Sequence, residues 1–240
     1  MAQSSVTAPR YTLVLGGSTG IGFAFAEWCA AKGRRLILVG RHRPKLTRAR
    51  NHLIEVGATE VTLRNGDLLD LEFRAKLLDW LNRKHLSTVF IGGPTPPQLD
   101  PSGSTWLEAQ RAVETCIVYP VHIFGALLKN TSWETEVIFL SSSAAREKLE
   151  GHPFFWSAAI RPAAEKILTA LARNRRDRRI KVAVWRPKVV DTDLARRYST
   201  FLPPCGKNDS LTNRLKRQFG VSRLLTPREY VLQMMRGRDE

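Results

Sequence analysis

The sequence predicts an α/β fold of three layers, αβα, in which helices cover both faces of a doubly wound parallel sheet of six strands. Short apolar runs alternate with helix-length amphipathic segments along nearly the whole chain, the pattern typical of βαβ units. The runs are mostly apolar throughout, as expected of strands that are buried on both faces. The 240 residues, 43% of them hydrophobic, suffice for one domain with a sizeable core.

The predicted strands and helices follow one another from the first apolar run, YTLVLG. Strands are expected at residues 11–16, 35–40, 60–64, 87–93, 136–141 and 181–185. Helices are expected at about residues 20–32, 44–56, 71–84, 105–129 and 156–175. A further helix is expected after the capping box formed by Thr226 and Glu229, with Pro227 at its first position.

The sequence indicates a single domain. No internal repeat, low-complexity linker or break in composition divides it. Residues 1–240 are therefore expected to form one unit, in which residues 193–240 supply a substrate loop and a C-terminal helical part. Three cysteines, Cys29, Cys116 and Cys205, lie far apart in the sequence. This spacing excludes a CxxC metal pair and a disulfide framework, and we expect no metal site.

Charge and hydropathy limit the partners and the location. No apolar run approaches the roughly 18 residues of a membrane span, and MAQSSVTAPR has no apolar core of a secretory signal. We therefore expect a cytoplasmic protein without membrane contact. The net charge of +16 favours anionic partners. Its basic residues gather at 41–50, 173–181 and beyond 207 rather than in one aromatic-interleaved stripe, so nucleic acid is not an expected partner.

A glycine-rich loop separates the first predicted strand from the first predicted helix. Its sequence, GGSTGIG, places glycines at Gly16, Gly20 and Gly22. Glycine at such positions permits a sharp turn, close approach of the backbone to a pyrophosphate, and tight packing of the helix on the sheet. The amide groups at the helix start then face the anion. The loop predicts a Rossmann-like dinucleotide site to which Ser18, Thr19 and Ile21 also contribute; the alternative is a tight turn without a ligand.

The end of the second strand indicates which nicotinamide cofactor the loop accepts. A carboxylate there would bind the ribose 2′-hydroxyl and repel a 2′-phosphate. Gly40 is instead followed by Arg41 and His42, and a guanidinium suits a phosphate. We therefore expect NADP(H) rather than NAD(H). Asp67, beyond the third strand, is expected at the adenine with Leu68; the alternative is that Asp67 caps the helix beginning near residue 71.

Four motifs in this order resemble those of the short-chain dehydrogenase/reductase family, over about residues 11–235. They are the glycine loop, the Asp67-Leu68 pair, SSSA at 141–144 and RPKVVDT at 186–192. The resemblance implies that the last segment, with Pro187, Val190 and Thr192, holds the nicotinamide. It also implies contacts from Gly92 and Gly93 after the fourth strand. Most members of the family have a seventh strand, and the sequence leaves open whether this chain forms one.

The residues that carry the family's chemistry are changed. That chemistry uses a tyrosine as proton donor, a lysine four residues later and a carbonyl-polarising serine. Aligning AAEKILTALA (163–172) puts Ser157 and Arg161 at the tyrosine and lysine positions. The alternative register, with Phe155 at the tyrosine position, does not restore the pair. Together with Cys116 in place of the family's helix asparagine, these changes resemble a divergent branch of the family.

Several residues remain as candidates for catalysis. Ser142 is expected to polarise the substrate oxygen, unless its hydroxyl is bonded to local backbone. Arg161 is expected to contact the ribose or a substrate anion, and the alternative is an exposed helix arginine. Ser157 is a poor acid by itself. His152 and Tyr198 are candidate proton donors.

Two functions fit the sequence. The first is an atypical NADP(H)-dependent oxidoreductase that reduces a ketone or activated double bond in a small molecule of the secondary-metabolite type. The second is a non-catalytic NADP(H)-binding subunit that supports an active partner. The first requires an open pocket near Ser142; the second predicts that Phe154, Phe155 and Trp156 fill it. We expect a homodimer, or a heteromer with a related active subunit. Its candidate contacts are Trp106, Val118, Tyr119 and Ile123, for which core packing is the simpler alternative.

Overall fold

The structure is a computed structural model that describes residues 9–94, 105–130, 133–146, 155–174, 179–199, 209–218 and 220–236. Six parallel strands form one sheet in the order β3-β2-β1-β4-β5-β6. They are β1 (Arg10–Leu15), β2 (Arg35–Gly40), β3 (Glu60–Asn65), β4 (His85–Ile91), β5 (Thr135–Leu140) and β6 (Ile180–Trp185). Each lies within two residues of its predicted bounds, and the doubly wound parallel sheet is confirmed.

Helices cover both faces of this sheet. They are α1 (Gly20–Ala30), α2 (Arg43–Val56), α3 (Leu71–Leu81), α4 (Trp106–Val113), α5 (Tyr119–Asn130), α6 (Phe155–Arg173), α7 (Asp193–Ser199), α8 (Leu211–Gln218) and α9 (Pro227–Met235). Successive strand side chains point to opposite faces, so Leu13 and Val14 enter separate cores. One core packs against α3, α5 and α6, and the other packs against α1, α2 and α9.

The helix predicted over residues 105–129 is interrupted. A capping box of Thr105 and Glu108 starts α4, and a π-helical turn, Glu114–Val118, joins α4 to α5. The physical reason is Pro120, which has no amide hydrogen to donate to the carbonyl four residues back. The amide of Tyr119 accordingly donates to the carbonyl of Glu114.

The same stretch corrects the expectation that no apolar run approaches the length of a membrane span. Residues Trp106–Lys129 are long and apolar enough, with a mean hydropathy of 1.3, to cross a membrane by length and composition alone. Half of the 18-residue window to which this mean hydropathy applies is buried. Ile123, Phe124 and Leu127 belong to the core on one face of the sheet. A core helix of a globular domain has the same properties, so this stretch is weak evidence for a membrane span.

The predicted start of the last helix is confirmed. The Thr226 hydroxyl accepts a hydrogen bond from the Glu229 amide at 3.2 Å, and the Glu229 carboxylate accepts one from the Thr226 amide at 2.8 Å. Helix α9 then buries Tyr230 and Val231 in the core shared with α1. A bridge between Val190 and Leu225 ties the chain beyond β6 to the segment preceding α9.

Candidate active site

Two adjoining cavities lie at the carboxyl edge of the sheet, where the strand order reverses between β1 and β4. This is where ligands bind in open α/β sheets. The glycine-loop cavity, of about 260 Å³, is lined by Gly16, Ser18–Gly22, Gly40–His42, Asp67, Leu68 and neighbouring residues. The serine cavity, of about 160 Å³, is lined by Ser141, Ser142, Ser157, Arg161, residues 187–190 and their neighbours. Ile21, Gly92, Gly93 and Thr192 line both.

The loop from Gly16 to Gly22 has no room for side chains at its ends. Gly16 has a φ of 81°, and a Cβ there would lie 2.7 Å from the Gly93 nitrogen. A Cβ on Gly22 would lie 2.4 Å from the Gly16 carbonyl oxygen. The N-cap residue of α1, Thr19, is extended and makes no side-chain capping hydrogen bond. Glycine is therefore required at both ends of this tight loop. The start of α1, which has no side-chain cap, lines the cavity.

The end of β2 is held by a residue that sequence reasoning missed. The Asn65 side-chain amide donates to the carbonyl oxygens of Gly40 and Arg41, at 3.0 and 2.8 Å. Arg41 reaches over the cavity, with one guanidinium nitrogen 3.7 Å from the Asp67 carboxylate. An asparagine at the end of one strand carries no sequence signal for bonding to its neighbour, because the pairing arises from the parallel register of β2 and β3.

Asp67 is not a helix cap. Its carboxylate accepts a hydrogen bond from the Leu69 amide at 3.0 Å. Helix α3 is capped instead by Asp70, which accepts from the amides of Glu72 and Phe73. The alternative interpretation of Asp67 is therefore wrong, and its carboxylate lines the glycine-loop cavity beside Leu68.

Helix α6 brings Ser157 and Arg161 to the wall of the serine cavity. Ser157 and Arg161 are four residues apart, so they lie on one face of the helix, and both line the cavity with Ser142. The Arg161 guanidinium donates to the Leu140 carbonyl oxygen at 2.5 Å, so it anchors the end of β5 and is not the exposed helix arginine of the alternative. Burial raises the pKa of the Cys116 thiol, and the hydrogen bond and charge of Arg161 partly offset that rise.

The segment carrying Ser142 is fixed by its neighbours. The Ser143 amide donates to the Pro187 carbonyl oxygen at 2.9 Å, and the Ala145 amide donates to the Ser142 carbonyl oxygen at 3.2 Å. These bonds join the end of β5 to the segment after β6. They hold Ser142 in the wall of the cavity beside Pro187 and Lys188.

Aromatic residues at the start of α6 do not line the serine cavity. Trp156 lines a separate groove with Trp106 and Leu71, and Phe155 packs edge-on against Trp156 at 5.8 Å between ring centroids. Phe154 and the candidate acid His152 lie outside the described residues. Tyr198 lies in α7, and its side chain is likewise outside the described part of the chain.

Tyr119 supports the wall that the two cavities share. Its hydroxyl donates to the Gly92 carbonyl oxygen at 3.1 Å, and a Cβ on Gly93, whose φ is 117°, would lie 3.0 Å from that hydroxyl. Burial raises the pKa of Tyr119 above its ordinary value. Tyr119 and Ile123 are both fully buried, so of the two uses considered for them, dimer contact and core packing, the structure shows core packing. The tyrosine's partner lies 27 residues away in sequence, which is why no local pattern predicted it.

Comparison with known families identifies the class of this chain. The family model described as short chain dehydrogenase matches residues 10–202. The chain therefore belongs to the short chain dehydrogenase family. A comparison with curated proteins gave no significant match.

Solved structures with the same fold share little sequence with it. L-sorbose reductase from Gluconobacter frateurii, complexed with NADPH and L-sorbose, is 18% identical, with a TM-score of 0.80 over 95% of this chain and 88% of that one. A short-chain dehydrogenase from Sphingobium yanoikuyae, in complex with NADPH, is 17% identical, with a TM-score of 0.77 over 96% and 84%. One from Burkholderia cenocepacia J2315, in complex with NADP, is 16% identical, with a TM-score of 0.79 over 95% and 89%.

Proposed function

We propose that this chain is a cytoplasmic NADP(H)-dependent oxidoreductase that reduces a ketone or activated double bond in a small organic molecule of the secondary-metabolite type. The observation that carries the proposal is the glycine-loop cavity. Its lining includes the glycines of the loop, the start of α1, which has no side-chain cap, and the side chain of Arg41. Such a surface matches the pyrophosphate and the extra phosphate of NADP(H).

The residues present fit this cofactor. The loop Gly16–Gly22 would hold the pyrophosphate, because the start of α1, which has no side-chain cap, lines the cavity and offers backbone amides to an anion. Arg41 and His42 would meet the 2′-phosphate, and Asp67 with Leu68 would meet the adenine. Gly92, Gly93, Pro187, Val190 and Thr192 would surround the nicotinamide. The NADPH and NADP complexes of the Sphingobium and Burkholderia relatives support the assignment.

The serine cavity would receive the substrate. Bound NADPH supplies a hydride, and the protein's task is to orient the substrate and exclude water. We assign the Ser142 hydroxyl to donate to the oxygen that gains negative charge. We assign Ser157 and Arg161 to the positions of the family's tyrosine and lysine, and this assignment supports a divergent branch that lacks the pair. Without the tyrosine, the site lacks a general acid that is normally worth roughly 10² to 10⁴ in rate. A substrate that yields a stabilised enolate tolerates this loss and therefore suits the site. His152 and Tyr198 are the candidate proton donors.

The second candidate is a non-catalytic NADP(H)-binding subunit. The changed pair at Ser157 and Arg161 favours this second function, because the Arg161 guanidinium already donates a hydrogen bond to the protein's own backbone, at the Leu140 carbonyl oxygen. The position of Phe155 and Trp156 favours the enzyme, because neither residue lines the serine cavity. For either function we propose a dimer through α4, whose Trp106 and Leu107 are 82% and 70% exposed.

Fluorescence and turnover test the proposal. NADPH is expected to quench the fluorescence of the six tryptophans at lower concentration than NADH. Equal affinity for NADH would contradict the cofactor assignment. Oxidation of NADPH with a panel of activated ketones, quinones and enones is the expected turnover. Inertness of the isolated chain, with activity on adding a related partner chain, would favour the non-catalytic subunit.

A further inference from the structure

We propose that the serine cavity selects a substrate that carries a negatively charged group such as a carboxylate. The proposal rests on the proposed function for the reaction itself. The charge of the cavity wall supports the choice of substrate, and it can be tested by binding alone.

The described wall of the serine cavity is positively charged. Arg161 and Lys188 line it, and none of the described lining residues is aspartate or glutamate. Asp193, from the same segment as Thr192, lines the glycine-loop cavity instead. A ligand in the serine cavity therefore meets two cations and no described carboxylate.

Two neighbouring arginines have their charge neutralised by a carboxylate. Arg186, two residues before Lys188, is held by both oxygens of the Glu165 carboxylate, at 2.9 and 3.1 Å from its Nε. Arg196 donates from Nε and Nη2 to the two carboxylate oxygens of Asp191, at 2.8 and 3.0 Å. Arg161 has no carboxylate within 4.0 Å in the part of the chain described, and its bond to the Leu140 carbonyl oxygen leaves its charge uncompensated.

An anion would compensate that charge. A partly buried cation without a counter-ion is unfavourable, and a bound carboxylate relieves this while gaining charge-assisted hydrogen bonds. Ser142 and Ser157 line the same cavity and can donate to a second oxygen of the ligand.

The substrate would share the serine cavity with the nicotinamide. Gly92, Gly93, Pro187, Val190 and Thr192, which we assign to the nicotinamide, all line this cavity of about 160 Å³. Apolar side chains provide much of the remaining wall: Ile21, Leu140, Val189, Leu194 and Ala195. The uncharged part of the substrate would contact these side chains.

Calorimetry with benzoate and its uncharged isostere benzamide tests the proposal on the full chain with saturating NADP⁺. Benzoate is expected to bind at least about tenfold more tightly, the size of one charge-assisted hydrogen bond. Lys188→Gln should remove most of this preference while leaving benzamide affinity unchanged. Because Lys188 is exposed, this variant is expected to fold; Arg161→Gln provides the second test, with its folding checked by circular dichroism.

Lys181→Gln is the matched control. Lys181 is exposed near the start of β6, at the opposite edge of the sheet, and its removal lowers the net charge equally. It should leave benzoate affinity unchanged. Equal binding of benzoate and benzamide, or equal losses in Lys188→Gln and Lys181→Gln, would overturn the proposal.

The alternative ligands of Arg161 and Lys188 are the phosphates of the cofactor. In that case Lys188→Gln would weaken NADPH binding and leave the preference for benzoate intact, which also overturns the proposal. Failure of the proposed function appears separately, as a chain that binds no NADP⁺. The ratio of benzoate to benzamide affinity, measured without nucleotide, still decides the inference.

Discussion

The glycine-loop cavity and the serine cavity share one wall but are built from different materials. Backbone atoms and the absence of Cβ atoms shape much of the first: the Gly93 nitrogen leaves no room for a Cβ on Gly16, and the Gly16 carbonyl oxygen leaves none for a Cβ on Gly22. The second depends on which side chains face it from α6 and from the segment after β6. A site made of backbone survives wherever a few glycines remain, whereas a site made of side chains changes its chemistry with each replacement.

Helix α6 illustrates how readily the second kind of site changes. Serine and arginine at positions 157 and 161 are both accommodated within one continuous helix, Phe155–Arg173. A helix tolerates most residues at such positions, so substitutions there can change the side chains that face the cavity without changing the fold.

The change expected to separate the two cavities most strongly is Gly22→Ala. The added Cβ would lie 2.4 Å from the Gly16 carbonyl oxygen, so the loop must shift. Restoring its shape on binding would cost up to about 3 kcal/mol, which predicts a loss of NADPH affinity of up to about 100-fold. Fluorescence titration measures it, with circular dichroism as the check on folding. Benzoate affinity measured without nucleotide should persist.

Gly125→Ala is the control for that substitution. Gly125 lies in α5, and a Cβ there meets no described atom within 4 Å. NADPH affinity should remain at the value of the unmodified chain. A Gly22→Ala protein that is folded and binds NADPH normally would contradict the account of the glycine loop.

Arg41→Ala tests the part of the first cavity that does depend on a side chain. Loss of a charge-assisted hydrogen bond to the 2′-phosphate predicts a fall in NADPH affinity of about tenfold or more, with NADH affinity unchanged. Arg83→Ala is the control for net charge, since Arg83 is exposed and lies 3.7 Å from Asp79. Parallel losses for NADPH and NADH would show that Arg41 does not read the 2′-phosphate.

Tyr119→Phe tests the shared wall and has the smallest expected effect. It leaves the Gly92 carbonyl oxygen without its hydrogen bond from Tyr119, which should lower the free energy of unfolding by about 1 to 2 kcal/mol. Because Gly92 lines both cavities, the affinities for NADPH and for benzoate should both weaken by about threefold to fivefold.

Denaturant unfolding and the two ligand titrations measure these effects. Tyr11→Phe is the matched control, because its hydroxyl donates to Glu60 at 3.3 Å at the other end of β1. That variant should leave both affinities unchanged. A Tyr119→Phe protein that loses affinity for one ligand alone would contradict a common wall.

Periodicity and steric requirements were enough to predict the architecture. Apolar runs located each strand to within two residues, and a helix start after Thr226 followed from its capping box. The glycines at 16, 20 and 22 indicated the loop, because few other residues permit such a turn so close to neighbouring backbone. These features depend on residues close together in the chain, and a sequence displays them directly.

Contacts between distant residues were decided by the tertiary structure alone. The bond from Arg161 to Leu140, the support of Gly92 by Tyr119 and the placement of Trp156 outside the serine cavity all join segments that are remote in sequence or orient side chains on packed helices. Their geometry depends on how α5 and α6 lie against the sheet. The physical reason is that local propensity sets which elements form, while packing sets the distances between their side chains.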